Sequence, residues 1–266
     1  MMQMKNRQIP ENYDEAAIDA MIARAKHRSA KAFRLIRRPE ARVSVVGSPL
    51  GNLLVAESDR GLVGLHFMWT SSADRMLGRM RERFDLVENE PALKKVMAEL
   101  DRYFKLGDAA ALDNQKVDLS IVESEFQRRA LARLRSVPSG SVITYQALAA
   151  AVGHPNSQRA IGTTMATNPI PLFVPCHRVV RSDGTIGNYG GGVDRKLQLL
   201  ELEGFHVGSD LKMPPEAVMG HRGTHIFCRP ECSAAKRADP TRALIFANAA
   251  KAEHAGLRPC KLCRPA

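Results

Sequence analysis

Nowhere in its 266 residues does the chain carry a run of about 18 apolar side chains, so no segment has the length and apolarity of a membrane-spanning helix, and no membrane partner is expected. The first residues, Met1 to Arg7, are polar and basic. They lack the apolar centre of a secretory signal, which sets the expectation at the cytoplasm. Tryptophan occurs once and aromatic residues make up only 5%. Cysteine is scarce as well: five residues, one alone and four in two close pairs, an odd and uneven set that argues against a disulfide scaffold. Acidic residues fall short of basic ones, 28 against 39.

The resulting net charge of +11 is unevenly placed. Residues 43 to 123 hold 10 Lys+Arg against 13 Asp+Glu, whereas residues 124 to 196 hold 9 against 3 and the stretch from Met213 to the last residue holds 9 against 4. A slightly acidic block is thus followed by basic ones, the asymmetry that contacts to phosphate require. The first 42 residues are basic too, 10 against 5, and carry a partial apolar stripe at Ala16, Ile18, Met21 and Ile22. Two readings of them stand, a helical DNA-binding arm and a tail resting on the next domain.

The lone cysteine sits in Val174-Pro175-Cys176-His177-Arg178-Val179. Only the thiolate is a good nucleophile, so a cysteine that attacks at neutral pH needs a base and a group to orient that base. His177 is a candidate base. A structural cysteine beside an unrelated histidine would look the same, and the flanking sequence decides. Phe126 to Arg135 has the pattern of a basic amphipathic helix, Pro138-Ser139-Gly140 of a turn, and Thr144 to Val152 of an alanine-rich helix. Gly153-His154-Pro155-Asn156 breaks that helix. Asn156 or Ser157 can cap a third, which Asn168-Pro169 ends. Two short helices about a tight turn have the dimensions of a helix-turn-helix. An apolar extended run into Cys176, a hairpin-like turn at Ser182-Asp183-Gly184, a glycine-rich loop from Gly187 to Gly192 and a helix from Asp194 to Glu203 follow.

Six motifs in this order, Ile143-Thr144-Tyr145, Arg159-Ala160-Ile161-Gly162, Asn168-Pro169, Pro175-Cys176-His177-Arg178, Gly187-Asn188-Tyr189 and Leu199-Leu200-Glu201-Leu202-Glu203-Gly204, resemble the O6-alkylguanine-DNA alkyltransferase family. Weaker matches at Gly47-Ser48-Pro49-Leu50-Gly51 and Asp59 to Leu65 extend the likeness to the family's small N-terminal sheet domain. The resemblance implies a single-use enzyme of direct DNA repair, a methylated-DNA-protein-cysteine methyltransferase. Cys176 would accept the alkyl group from guanine O6, and acceptance of O4-alkylthymine stays open. His177 would take the thiol proton through a water, Glu203 would orient the imidazole, and Asn168 would brace the third helix against the cysteine turn. Tyr145, Arg159, Tyr189 and Arg178 would contact the DNA or the base, with Arg159 filling the place of a flipped nucleotide. The implied partner is double-stranded DNA carrying O6-alkylguanine, engaged by a monomer near the nucleoid, and no organic cofactor is implied. Gly190 follows Tyr189 where the family often has serine or tryptophan, which opens the pocket and loosens the loop.

Beyond Gly204 the character changes. Cys228-Arg229-Pro230-Glu231-Cys232 and Pro259-Cys260-Lys261-Leu262-Cys263 form CX3C and CX2C pairs 27 residues apart, the spacing of a four-thiolate zinc site. Their surroundings resemble the metal-binding domain of the Ada family, which implies that Cys228 is either a methylphosphotriester acceptor or a purely structural ligand beside Cys232, Cys260 and Cys263. The expected fold is therefore α+β. Its parts are a basic extension over residues 1–42, a ribonuclease-H-like sheet domain over 43–120, a helical catalytic and DNA-binding domain over 121–204, a linker or short docking segment over 205–220 and a small zinc module with four cysteine ligands over 221–266. The alternatives are an Ada-like methylation-responsive regulator, for which no AraC-type region lies between Gly204 and Cys228, and a lesion-sensing protein without transfer activity, which Cys176 opposes.

Overall fold

Three short apolar segments joined by tight turns build the first sheet. Strands β1 (Glu40–Val46), β2 (Leu53–Ser58) and β3 (Gly61–Phe67) form an antiparallel meander, and β4 (Asp85–Glu88) adds parallel to β1, giving the order β3-β2-β1-β4. The computed structural model describes residues 38–68 and 71–265, so the expected N-terminal arm lies outside the described residues up to Arg37. The chain divides into Met1–Pro39 and Glu40–Ala266, and every helix and strand among the described residues belongs to the second unit. β3 is buried along its whole length. Helix α1 (Ser71–Arg83) packs on it closely enough that a Cβ at Gly64 would lie 2.9 Å from the Met80 sulfur. Helix α2 (Lys94–Leu106) buries Val96, Leu100 and Tyr103 and stops at Gly107, which adopts the left-handed φ of 64° that glycine reaches without strain.

The next elements follow from their caps. Ser124 accepts a hydrogen bond from the Gln127 backbone N–H at the start of α3 (Glu125–Arg135), and Thr144 accepts one from Ala147 at the start of α4 (Tyr145–Ala151), directly after strand β5 (Ser141–Thr144). Helix α5 (Gln158–Ala166) begins after Ser157, whose side chain makes no capping bond. The Gln158 amide donates to the Pro155 carbonyl at 2.9 Å. The expected helix-turn-helix is thus α4–turn–α5. The apolar run after it is not extended as expected: Val174 N–H donates to the Ile170 carbonyl, closing a compact turn around Leu172. Pro169, Pro171 and Pro175 lack the N–H groups a strand would need there. The Leu65 N–H of β3 donates to the Pro169 carbonyl and ties the first sheet to this turn. Strand β6 (Val179–Val180) follows, then helix α6 (Val193–Leu202).

The C-terminal module is joined to the catalytic half by main-chain pairing. Strands β7 (Val218–His221), β8 (Ile226–Cys228), β9 (Ala243–Phe246) and β10 (Arg258–Pro259), with helices α7 (Ser233–Lys236) and α8 (Ala249–His254), surround the four cysteines. Yet β9 pairs antiparallel with β5, Ser141 opposite Phe246 and Val142 opposite Ile245, so one six-stranded sheet runs β10-β8-β7-β9-β5-β6. Phe227, Leu244, Phe246 and Leu257 belong to the same apolar core as Leu131, Ile143 and Leu148. Arg133 donates to the Thr241 carbonyl and Arg222 to the Ser136 carbonyl across the same junction. The segment read as a linker or a short docking segment is docked: Ile186 N–H donates to Leu211 O, Met213 N–H to Gly184 O, and β7 begins at Val218.

Sharing a core has a measurable consequence. Phe246→Ala should cost about 3–5 kcal/mol, and amide hydrogen exchange at Val142 and Ile143 should quicken together with that at Leu244. Unchanged protection of β5 would show that module and catalytic half unfold separately.

Candidate functional site

The placement of Glu203 starts at a helix end. Residue 203 caps α6, and Gly204, at φ 91°, reverses the chain so that Phe205 enters the core. The Glu203 carboxylate is thereby drawn inward, only 3% exposed, beside Arg178 at 2% and His177 at 0%. Arg178 grips it with both edges of a planar fork, Nε to Oε2 at 2.8 Å and Nη2 to Oε1 at 2.7 Å. His177 Nε2 lies 3.0 Å from Oε1, and the Tyr103 hydroxyl donates to the same oxygen at 3.3 Å. Burial alone would raise the carboxyl, but Arg178 and then His177 outweigh it and hold Glu203 well below the usual carboxylate range. Because a carboxylate only accepts, Nε2 of His177 carries the proton, and Nδ1 is left as the basic nitrogen. Nδ1 is buried with no hydrogen-bond partner among the described residues. Burial keeps this imidazole neutral to lower pH than usual, against the pull of Glu203.

Cys176 opens a short 3-10 turn, Cys176–Arg178, on the other side of this network. Asn168 braces it: the side-chain amide donates to the Val174 carbonyl at 2.7 Å and to the Cys176 sulfur at 3.1 Å, while its oxygen accepts from Ile170 N–H at 3.1 Å. Burial pushes the thiol up, and the Asn168 hydrogen bond and the Lys196 ammonium pull it back. Lys196 is the functional side chain that sequence reasoning missed. It is fully buried, donates to the carbonyls of Val179, Ile186 and Asn188, and is lowered to about 8 by burial, with Cys176 opposing. The signal was there in part, since Lys196 follows Val193 on the inward side of α6 at the helical spacing of Leu199 and Leu200.

Cys176 lines a cleft of about 660 Å3 together with Tyr145, Arg159, Arg181, Tyr189 and Gly190. Tyr145, Arg159 and Tyr189 are therefore brought to the cysteine as expected. Arg178 is not. Its guanidinium is spent on Glu203 and the Val137 carbonyl inside the protein, where DNA cannot reach it. The outward face of α5 is exposed and small apart from Arg159, with Ala160, Thr163 and Ala166 along it. The Tyr189 hydroxyl is buried close to the Cys176 sulfur. The glycine loop, expected to be loose, is held by Arg195, which donates to the Gly191 and Leu50 carbonyls and stacks over Phe67 at 4.8 Å. A smaller cavity of about 30 Å3 behind Cys176 is bordered by His66, Asn168 and Tyr189, and burial lowers His66 to about 4.

The second cluster is in the module. The sulfurs of Cys228, Cys232, Cys260 and Cys263 all lie within 4.8 Å of one another, none in a disulfide. Arg229 N–H donates to the Cys263 sulfur. Burial and the neighbouring Cys260 push the Cys228 thiol up, while the backbone N–H groups of Cys263 and Leu262 bring Cys260 down to about 7. Four soft donors at this separation, with N–H groups aimed at sulfur, fit zinc, which would hold all four as thiolates.

Both clusters fall inside segments shared with known proteins. Residues 42–117 match the ribonuclease-like domain and residues 125–205 the DNA-binding domain of 6-O-methylguanine DNA methyltransferase, and residues 208–266 match the metal-binding domain of Ada. The methylated-DNA-protein-cysteine methyltransferase of Mycolicibacterium paratuberculosis is 36% identical over 170 residues, 63% of this chain and 95% of that protein. The chain belongs to this family. It is a methyltransferase whose family reaction moves an alkyl group from DNA to a protein cysteine. The rat methyltransferase is 37% identical over 62% of the chain and 83% of its own length. The Escherichia coli transcriptional activator and DNA repair enzyme Ada is 34% identical over 61% of the chain, which spans only 45% of Ada. Among solved structures, Mycobacterium tuberculosis OGT in complex with DNA superposes with a TM-score of 0.51 at 31% identity, over 62% of this chain and 92% of that one. No helix among the described residues is long and apolar enough to cross a membrane.

Two outcomes test the buried network. Arg178→Met strips the buried Glu203 carboxylate of its counter-ion, and should cost about 3–5 kcal/mol in urea unfolding, whereas a surface arginine would cost under about 1 kcal/mol. His66 and His177 are held below the ordinary imidazole value, so the unfolded chain binds more protons than the folded one as pH falls below about 6.5. Stability should then decrease from pH 7 to pH 5, and His66→Phe should flatten part of that slope. A urea midpoint independent of pH over this range would contradict the assignment.

Proposed function

We propose that the chain repairs O6-alkylguanine in double-stranded DNA as a monomer, Cys176 attacking the alkyl carbon of a nucleotide rotated into the 660 Å3 cleft. The observation that carries this reading is the meeting of three things at one turn: a thiol on the cleft wall, a neutral histidine beside it with Nδ1 free, and a buried carboxylate that fixes the other ring nitrogen. His177 takes the thiol proton, the S–C bond forms as the C–O6 bond breaks, and guanine recovers the proton that its O6 or N1 requires. The Tyr189 hydroxyl and the backbone near Cys176 receive the base. Lys196 favours the thiolate by its charge. Arg159, exposed at the first turn of α5, stands in for the rotated nucleotide, and the small residues on the same face let the helix approach the minor groove. Each molecule acts once, because a thioether is not reconverted to a thiol in the reaction.

Zinc would be held by Cys228, Cys232, Cys260 and Cys263, where it supplies charge neutralisation and folding free energy. A specific observation favours a second acceptor there. Cys228 lines a cavity of about 370 Å3 with Cys260, Met219, His221, Thr224 and Arg237. A sulfur facing a cavity is open to attack a neutral methyl phosphotriester, which the anionic four-thiolate centre does not repel as it repels ordinary phosphate. We assign the ribonuclease-like domain to residues 43–120, the catalytic domain to 121–204 and the zinc module to 221–266, with 205–220 as a docked connector, and the chain to the nucleoid.

Incubation with one equivalent of O6-methylguanine duplex should place one methyl group on the peptide carrying Cys176, with no turnover beyond that, and Cys176→Ser should place none. Repeated turnover would refute single use. Arg159→Ala should slow transfer from the duplex far more than transfer from free O6-benzylguanine, and equal losses would make Arg159 structural.

A further inference from the structure

The 370 Å3 cavity beside the four cysteines is lined by a histidine that the zinc site does not use. In the β7–β8 ladder, Met219 stands opposite Cys228 and His221 opposite Ile226. Residues two apart on a strand share a face, and directly opposed residues share it too, so His221, Met219, Ile226 and Cys228 lie on one face of this hairpin. The intervening Gly220 and Phe227 take the other face. Phe227 is fully buried, and a Cβ at Gly220 would fall 2.5 Å from the Phe246 ring. All four residues of the first face line the cavity. His221 is the diagonal neighbour of Cys228, a separation of about 7–8 Å between backbones that leaves room for a small group between the two side chains.

The imidazole of His221 is fixed in one form by its neighbours. Its Nδ1 accepts from the Thr224 backbone N–H at 3.1 Å and lies 3.2 Å from the Thr224 hydroxyl. A backbone amide can only donate, so Nδ1 is unprotonated and Nε2 carries the hydrogen. That Nε2 is buried and has no hydrogen-bond partner among the described residues. A buried N–H without an acceptor is unfavourable, and an arriving acceptor oxygen would relieve it. Asp239 also lines the cavity, but its carboxylate is engaged by the Thr241 N–H and hydroxyl. Arg237 lines it too, so the cavity wall carries one charge of each sign. A guest that is neutral, carries an oxygen acceptor and presents an apolar carbon to the Cys228 sulfur suits such a wall.

We infer that His221 is a catalytic residue of the second site, its Nε2–H binding the phosphoryl oxygen of a methyl phosphotriester while Cys228 attacks the methyl carbon. The inference rests on the reading of Cys228 as an acceptor. In the step, the thiolate sulfur forms a bond to the methyl carbon as the C–O bond breaks, and that electron pair stays on the phosphate oxygen. Thiolate and neutral triester become thioether and phosphodiester anion. Negative charge moves onto the phosphate, so the hydrogen bond from Nε2 strengthens along the reaction.

The test uses the full-length zinc-loaded protein and a duplex with a single methyl phosphotriester, with methylation of the Cys228 peptide followed by mass spectrometry. His221→Phe should slow that transfer on the order of 100-fold, and His221→Gln, which keeps an N–H in a similar place, should restore much of it. Zinc content and transfer to Cys176 should be unchanged in both. A duplex with a neutral methylphosphonate link keeps the phosphoryl oxygen but cannot give up its methyl, and on adding it to the wild type the 15N resonance of His221 Nε2 should shift. Methylation of Cys228 at the wild-type rate in His221→Phe would overturn the role of His221 alone. Absence of methyl on Cys228 in the wild type would overturn the acceptor reading and this inference with it.

Discussion

A carboxylate sealed away from water governs the catalytic half. Glu203 stays charged only because Arg178 and His177 meet it on two sides, and each of those residues is committed by that duty. Arg178 must be buried, which removes it from the DNA surface. His177 must present Nε2 to the carboxylate, which leaves Nδ1 as the basic ring nitrogen. The turn that carries both must be short, and Asn168 pins it through the Val174 carbonyl. The elements around it serve the same arrangement: Gly204 turns Glu203 inward, Val137 supplies a carbonyl to Arg178, and Tyr103 reaches across from the first domain. An isolated buried charge would cost several kcal/mol. Here the charges are matched, and the cost falls on any variant that removes one partner.

The C-terminal module is attached by the same economy of surface. A segment of this size with few large apolar side chains cannot bury enough on its own. Instead, β9 lies along β5 and sends Phe246 into the common core, so that the free edge of the catalytic sheet is covered and the module gains apolar contacts. The sheet thus runs from the four cysteines to Val179–Val180, immediately after the catalytic turn. Metal binding at one end and the acceptor turn at the other belong to one folding unit.

Much of this was legible in the sequence because the decisive residues sit in local patterns. Pro175-Cys176-His177, the helix breakers at Gly153 and Pro169, and the two cysteine pairs each carry their meaning within a few residues. What escaped depends on contacts far apart in the chain. Arg178 has the look of a surface arginine next to the nucleophile, and only Glu203, 25 residues on, shows that it is a buried counter-ion. Lys196 lies on the inward side of an amphipathic helix, where three backbone carbonyls far along the chain accept from its ammonium. The run from Ile170 to Val174 is apolar enough for a strand, and its prolines made it a turn. The pairing of β5 with β9 joins segments about a hundred residues apart, which no local period announces.

The mechanism stands or falls on the protonation of one imidazole. In protein labelled with 15N-histidine, the two ring nitrogens of His177 at neutral pH should resonate as a neutral ring protonated at Nε2, with Nδ1 bare, and Glu203→Gln should disturb that state while the other histidines keep theirs. A His177 ring protonated on both nitrogens, or on Nδ1 alone, would leave His177 without a basic Nδ1 and would contradict the proposed mechanism.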